Sequence, residues 1–230
     1  MDLLEVVPGL VMLPLGISNA YVWHGPEGVT LIDTGSPGSA PAIKAALEDL
    51  GLPREELRRI VLTHFHEDHA GSAAELADWA GATVIAGEDD AAFVRGAAPV
   101  PPITFTPSER QLHATIATDL APAPACEMVQ EVTDQDVLQT GNAALVVSVP
   151  GHTPGSIALH LPDSGLLLTG DTIAEHEAAI LGPFNNDREQ AGRSLERLAA
   201  MVVDVACFGH GKPIIGAAHH ALRRATDPLG

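Results

Sequence analysis

Short, strongly apolar runs alternate along the chain with polar, glycine- and proline-containing breaks. Val6–Leu15, Ala20–His24, Val29–Ile32, Arg59–Thr63, Thr83–Ala86, Ala144–Val149, Ser156–Leu161 and Leu166–Thr169 have strand character. Gly25-Pro26-Glu27-Gly28 and Pro162-Asp163-Ser164-Gly165 read as turns, so the chain opens on an antiparallel arrangement. Ser39–Leu50 is an Ala-rich amphipathic helix ending near Gly51, Ala70–Ala80 is a second helix, and a third contains Ser194–Leu198. The pattern predicts an α/β protein.

Between Ala97 and Pro124 the pattern weakens, and six prolines flank a candidate short helix, Ser108–Thr118. We expect residues 1–230 to form a single domain in which 97–127 is a lid or connecting segment, with Phe105, His113 and Met128 in or near it. The two halves also echo each other. Leu31–Gly35, a helix and Ile60–His64 are matched by Leu167–Thr172, a helix and Val203–Phe208 before His210, each half running strand, acid, helix, strand, histidine. Two similar β-rich layers meeting at a shared edge would bring the strand ends of both halves to one place.

Composition narrows the partners. A chain of 230 residues with 46% hydrophobic positions can bury a substantial core. A net charge of −18, with no Lys/Arg run longer than two, opposes nucleic-acid binding. The acidic opening Met1–Glu5 does not read as a secretory signal, and no apolar run approaches membrane-spanning length, so we expect a cytoplasmic protein. Cys126 and Cys207 read as free thiols, and a homodimer is one of the open oligomeric states.

Candidate chemistry concentrates in Thr63-His64-Phe65-His66-Glu67-Asp68-His69, three imidazoles and two carboxylates in one short stretch. Two residues apart on extended chain, His64 and His66 project to one side and can share an ion. A turn into the following helix swings Asp68 and His69 towards a second. Three later segments add ligand types at strand ends: His152 in Pro150–Ser156, Asp171 after Leu168-Thr169-Gly170, and His210 between two glycines.

The H-x-H-x-D-H pattern, with these later residues, resembles the signature of the metallo-β-lactamase superfamily over roughly residues 10 to 215. The resemblance implies a four-layer αββα sandwich with metals in a groove at one end. It implies that His64, His66 and His152 hold a first metal, that Asp68, His69 and His210 hold a second, that Asp171 bridges them, and that Asp33 supports the histidine loop. Imidazoles and carboxylates without thiolate suit two Zn2+ ions, with iron or manganese also compatible. Such a pair would hold a bridging hydroxide that cleaves a carbonyl substrate, with Asp68 orienting the water and carrying a proton to the leaving group.

Departures from the subfamilies narrow the substrate. β-Lactamases generally lack an aspartate matching Asp171. Hydroxyacylglutathione hydrolases add a basic C-terminal helical region, whereas about twenty residues follow His210 here, with only Lys212, Arg223 and Arg224 basic. Lactonases of this fold often carry a tyrosine after the bridging aspartate, and here that stretch is Thr172-Ile173-Ala174-Glu175-His176. A small ester, lactone or thioester is the expected class of small-molecule substrate, with His176 and Phe184 as candidate pocket residues. Because His64, His152 and Asp171 also match the iron ligands of persulfide dioxygenases, an iron oxidoreductase is the alternative; a β-lactamase or a non-catalytic binding protein ranks below both. His24, His113, His160, His219 and His220 are read as structural, in a turn, the lid, a strand and a terminal helix.

Overall fold

The computed structural model describes residues 1–116, 120–140 and 143–230. The predicted strand Val6–Leu15 is split. Its Pro8-Gly9 pair turns the chain, giving β1 (Leu4–Val7) and β2 (Leu10–Pro14) as a hairpin. β3 (Asn19–Gly25), which includes His24 rather than leaving it in the turn, and β4 (Gly28–Ile32) continue antiparallel. Helix α1 (Ala40–Asp49) returns the chain to β5 (Leu57–Val61), parallel to β4. The short α2 (Glu67–Ala70) and α3 (Ala73–Ala80) lead to β6 (Thr83–Gly87), and α4 (Glu88–Val94) and α5 (Pro107–Ile116) precede β7 (Val129–Val132). The first sheet therefore has the order β1 to β7, with β4 to β7 parallel.

The second sheet contains β8 (Val137–Gln139), β9 (Ala143–Ser148), β10 (Ile157–Leu161) and β11 (Leu166–Leu168), joined antiparallel. A separate hairpin, β12 (Ile173–His176) with β13 (Ala178–Leu181), comes before α6 (Arg188–Ala199). β14 (Val205–Cys207) then pairs parallel with β11, β15 (Ile214–Ile215) closes the sheet edge, and α7 (His219–Leu222) follows. The echo between halves is thus real at β4–α1–β5 and β11–α6–β14, with the β12–β13 hairpin inserted in the second copy.

Alternation along the strands explains the layering. On β3, Tyr21 and Trp23 point one way and Ala20 and Val22 the other. The first pair joins Leu10, Ile32, Val61 and Ile85 against Val146, Ile157, Leu159 and Leu168 of the second sheet, forming the core between the sheets. The second pair meets Ile43 and Leu47 of α1 and Leu76 of α3. Outside the second sheet, Val147, Ala158, Leu167 and Phe208 pack on Leu198 and Leu222. Three apolar layers separated by two sheets and flanked by helices define an αββα sandwich. Leu159→Ala, which empties a position 1% exposed between the sheets, is expected to cost about 2–5 kcal/mol in a urea-unfolding measurement.

The predicted helix Ser108–Thr118 appears as α5, beginning one residue earlier, and its last predicted residues lie outside the described ones. Thr106 and Glu109 form a reciprocal capping box around Pro107: Thr106 N–H donates to Glu109 Oε2 at 2.9 Å, and Glu109 N–H donates to Thr106 Oγ1 at 3.1 Å. Among the described residues no helix is long and apolar enough to cross a membrane. Both cysteines are buried and free.

Candidate metal centre

β4, β5, β9, β11 and β14 all end at one edge of the sandwich, with Asp33 directly after β4, His64, Asp171 and His210 three residues past β5, β11 and β14, and His152 four past β9. Asp33 follows β4 with φ +58, a left-handed conformation that aspartate tolerates better than most residues. This turn aims its carboxylate across to the neighbouring strand. Oδ1 accepts from Thr63 N at 2.8 Å, and Oδ2 accepts from Thr63 Oγ1 at 2.8 Å and lies 2.9 Å from His69 Nδ1. His64 Nδ1 sits 3.0 Å from the same threonine oxygen. One buried carboxylate therefore orients two imidazoles, directly and through Thr63.

The remaining residues converge across the sandwich. His152 Nε2 is 3.2 Å from His64 Nε2 and 2.9 Å from His66 Nδ1. His210 Nε2 is 3.4 Å from His69 Nε2, 3.3 Å from Asp68 Oδ2 and 3.0 Å from Asp171 Oδ2. Asp171 lies between the groups, with Oδ1 3.3 Å from His69 Nε2 and Oδ2 3.7 Å from His152 Nε2. His64, His69, His152 and Asp171 are buried, while His66, Asp68 and His210 are partly exposed and mark the open side. The structure brings together all seven residues expected from the sequence as ligands, with Asp33 behind them.

His69 Nδ1 faces the Asp33 carboxylate and His210 Nδ1 faces the Ile17 carbonyl at 2.6 Å, so both rings donate from Nδ1 and turn Nε2 towards the centre. His64 is set the same way, because Thr63 Oγ1 already donates to Asp33 and can only accept from the ring. Buried Asp171 Oδ1, His66 Nε2 and His152 Nδ1 lack hydrogen-bond partners among the described residues, and ring nitrogens approach one another at 3.2 and 3.4 Å. Donor atoms gathered this closely suit a cation. Three groups have ligand atoms within 4.8 Å of one another: His64/His66/His152, His64/His69/Asp171 and Asp68/His69/His210. The donor set fits a metal centre.

The electrostatics divide the centre in two. Burial, reinforced by the neighbouring imidazoles, holds His64 well below its usual range and brings His66 down to about 3; burial likewise lowers His152. On the other side burial opposes charge on His210, yet Asp171 and Asp68 push it up to about 10, and Asp171, Asp68 and Asp33 likewise raise His69. Burial also opposes ionisation of Asp68 and Asp171, but His69 and His210 hold both carboxyls well below the usual range. One lobe is a neutral imidazole trio and the other is rich in carboxylate charge.

Backbone contacts lock the far ends of the chain around the centre. Asn19 Nδ2 donates to Phe208 O at 3.2 Å and Gly211 O at 2.7 Å, and Asn19 N donates to Gly209 O at 2.8 Å. Tyr21 Oη donates to Phe208 O at 2.7 Å, and Ser18 Oγ donates to Asp68 O at 2.5 Å. The sequence reading missed these residues, and also Asp90, which lies on α4 with its side chain turned inwards. Their signal is weak: Asn19 and Tyr21 read as ordinary strand positions, and Asp90 as one of three acids opening a helix.

The candidate pocket residues fall in different places. His176 is exposed at the end of β12. Phe184 is half-buried, with φ +64, in a short arch whose Gly182 N donates to Thr172 O and whose Asn186 N donates to His152 O. The arch thus spans the Asp171 and His152 turns. Phe105 and His113 pack against Phe184, at 5.7 and 5.5 Å between ring centroids. Glu109, 1% exposed, accepts from Phe184 N at 2.8 Å and from Arg188 Nη1 at 2.6 Å, tying α5 to the arch.

A cluster of imidazoles and carboxylates at the strand ends of an αββα sandwich marks a metal-binding site, and with the relatives that follow it makes the chain a metal-dependent hydrolase. The sequence profile of the metallo-beta-lactamase superfamily matches residues 13–210, and the chain belongs to that superfamily. It is 28% identical to a "probable metallo-hydrolase" of Bacillus subtilis over 92% of this chain and 87% of that one. It is 31% identical to a hydroxyacylglutathione hydrolase of Cereibacter sphaeroides over 96% of this chain and 73% of the relative. Among solved structures, a metallo-beta-lactamase family protein of Thermus thermophilus superposes with a TM-score of 0.70 at 27% identity, covering 95% of this chain and 78% of its own.

Proposed function

We propose that the protein is a dinuclear zinc hydrolase acting on a small ester, lactone or thioester. The observation that carries this reading is the overlap of three ligand groups, the first two sharing His64 and the last two sharing His69, with Asp171 between the lobes. His64, His66 and His152 would hold one ion, Asp68, His69 and His210 the other, and Asp171 both. Two zinc ions held there would supply an activated water at neutral pH and stabilise negative charge on a carbonyl oxygen.

The chain's own residues supply positioning and proton transfer. Asp33 keeps His69 and His64 in the tautomers that present Nε2 inwards. Asp68 stands at the partly exposed side, where its carboxylate can orient the attacking water and pass a proton to the leaving group. Phe184, Phe105 and His113 would wall the apolar part of a substrate, and His176 stands further out on the rim. The hydroxyacylglutathione hydrolases among the relatives support keeping a thioester in the substrate class.

Metal analysis of purified protein, followed by a panel of lactones, thioesters, phosphodiesters and a chromogenic cephalosporin in an oxygen-electrode cell, tests this reading. About two zinc ions per chain and carbonyl-substrate hydrolysis without oxygen uptake are expected. One iron per chain with thiol-dependent oxygen consumption would instead establish the oxidoreductase alternative.

A further inference from the structure

A buried carboxylate outside the ligand set connects the two loops that carry the imidazole trio. Asp90, fully buried near the start of α4, accepts from Phe65 N at 3.1 Å and Thr153 Oγ1 at 2.6 Å on Oδ2, and from Gly155 N at 2.7 Å on Oδ1. Phe65 stands between His64 and His66, and Thr153 follows His152. The three donors therefore come from the His64–His66 loop of the first half and the His152 turn of the second. Among the described residues no hydrogen bond or ion pair joins Asp90 to an imidazole.

The backbone is shaped for this contact. A Cβ on Gly87 would lie 2.2 Å from Gly155 O, and one on Gly155 would lie 2.2 Å from Asp90 N, so only glycines let the start of α4 seat against the His152 turn. Burial pushes the Asp90 carboxyl up to about 6 against the pull of its three donors. A charged group carried into the protein at that cost, with three donors waiting for it, is a brace.

We infer that Asp90 is the positioning residue of the first cation site: it fastens the His64–His66 loop to the His152 turn and so sets the spacing of that imidazole trio. Asp33 holds His69 directly and reaches His64 through Thr63, so Asp90 is the support particular to the first site. The inference rests on the dinuclear reading above. It adds that occupancy of one site can be weakened without the other.

The test is a zinc titration of chelator-stripped protein against a chromophoric competitor. Wild type, Asp90→Asn and Thr153→Val are compared, with His152→Ala and His210→Ala identifying which ion belongs to which site. Asp90→Asn keeps the shape but loses the charge, and Thr153→Val removes a single arm of the brace. Both are expected to weaken the ion that His152→Ala abolishes, by about 10–100-fold for Asp90→Asn and less for Thr153→Val, while the ion abolished by His210→Ala stays within about threefold. Unchanged affinities in both variants, or equal loss of both ions, overturn the inference while leaving the dinuclear reading intact. A wild type that binds no zinc overturns that reading and the inference with it. Circular dichroism of each stripped variant reports folding, and if Asp90→Asn does not fold, Thr153→Val alone decides by the same criteria.

Discussion

Asp171→Ala is expected to lower kcat/KM by at least about a thousandfold, about 4 kcal/mol of transition-state stabilisation, and to reduce bound metal. Among the described residues, Asp171 is the carboxylate that lies within 4 Å of an imidazole in each lobe, at 3.0 Å from His210, 3.3 Å from His69 and 3.7 Å from His152. Without it the first lobe is left with neutral rings alone, while the second keeps Asp68 as its negative partner. Asp171→Asn separates charge from shape, since the amide fills the same space without the negative charge. Metal content by elemental analysis, beside steady-state rates, checks both variants. Full turnover with two ions retained in Asp171→Ala would remove the aspartate from its shared role.

Gly209→Ala should be nearly as severe, although glycine carries no chemistry. A Cβ at this position would lie 1.9 Å from Asp171 Oδ1 and 2.7 Å from His69 Cε1, inside the contact distance of both side chains. The backbone cannot withdraw, because Gly209 N donates to Gly170 O at 3.0 Å and its carbonyl accepts from Asn19 N at 2.8 Å. The methyl group must therefore displace the two side chains. We expect loss of metal and of activity by at least about a hundredfold, since misplacement of about 1 Å already has that effect on a reacting centre. Gly192→Ala is the control: nothing lies within 4 Å of its added Cβ on α6, and the change should stabilise the protein by about 0.4–1 kcal/mol. Thermal melts and metal analysis of the two variants, made side by side, distinguish a filled site from a generally weakened fold.

The residues of the candidate centre are legible in the sequence because the chemistry proposed for them leaves little choice of residue. A site for cations needs imidazoles and carboxylates, and at the ends of apolar strands these stand out against their surroundings. The layered fold is legible for a related reason, since short apolar runs separated by turns and Ala-rich helices leave few architectures. What escapes reading depends on side-chain direction and on contacts between distant segments. Asp90 belongs to Glu88-Asp89-Asp90, which suits any helix start, and only the packing of α4 shows which acid turns inwards. The β12–β13 hairpin hides inside a stretch that reads as a loop, and β7 and β8 follow a proline-rich segment whose weak pattern masks them. The Thr106–Glu109 capping box is present in the letters, but nothing local shows that Glu109 also reaches Phe184 and Arg188.

The order in which the centre's parts occur along the chain has a consequence for biosynthesis. His69 meets His210 across 141 positions, and Asn19 is tied to the turns on both sides of that histidine. At 5–20 residues per second, a ribosome makes the early histidine loop roughly 7–28 s before its last partner. During that interval the nascent protein offers an ion only part of a coordination shell. Tight loading therefore waits until both halves have closed on each other, which makes metal uptake a late report that synthesis and folding are complete.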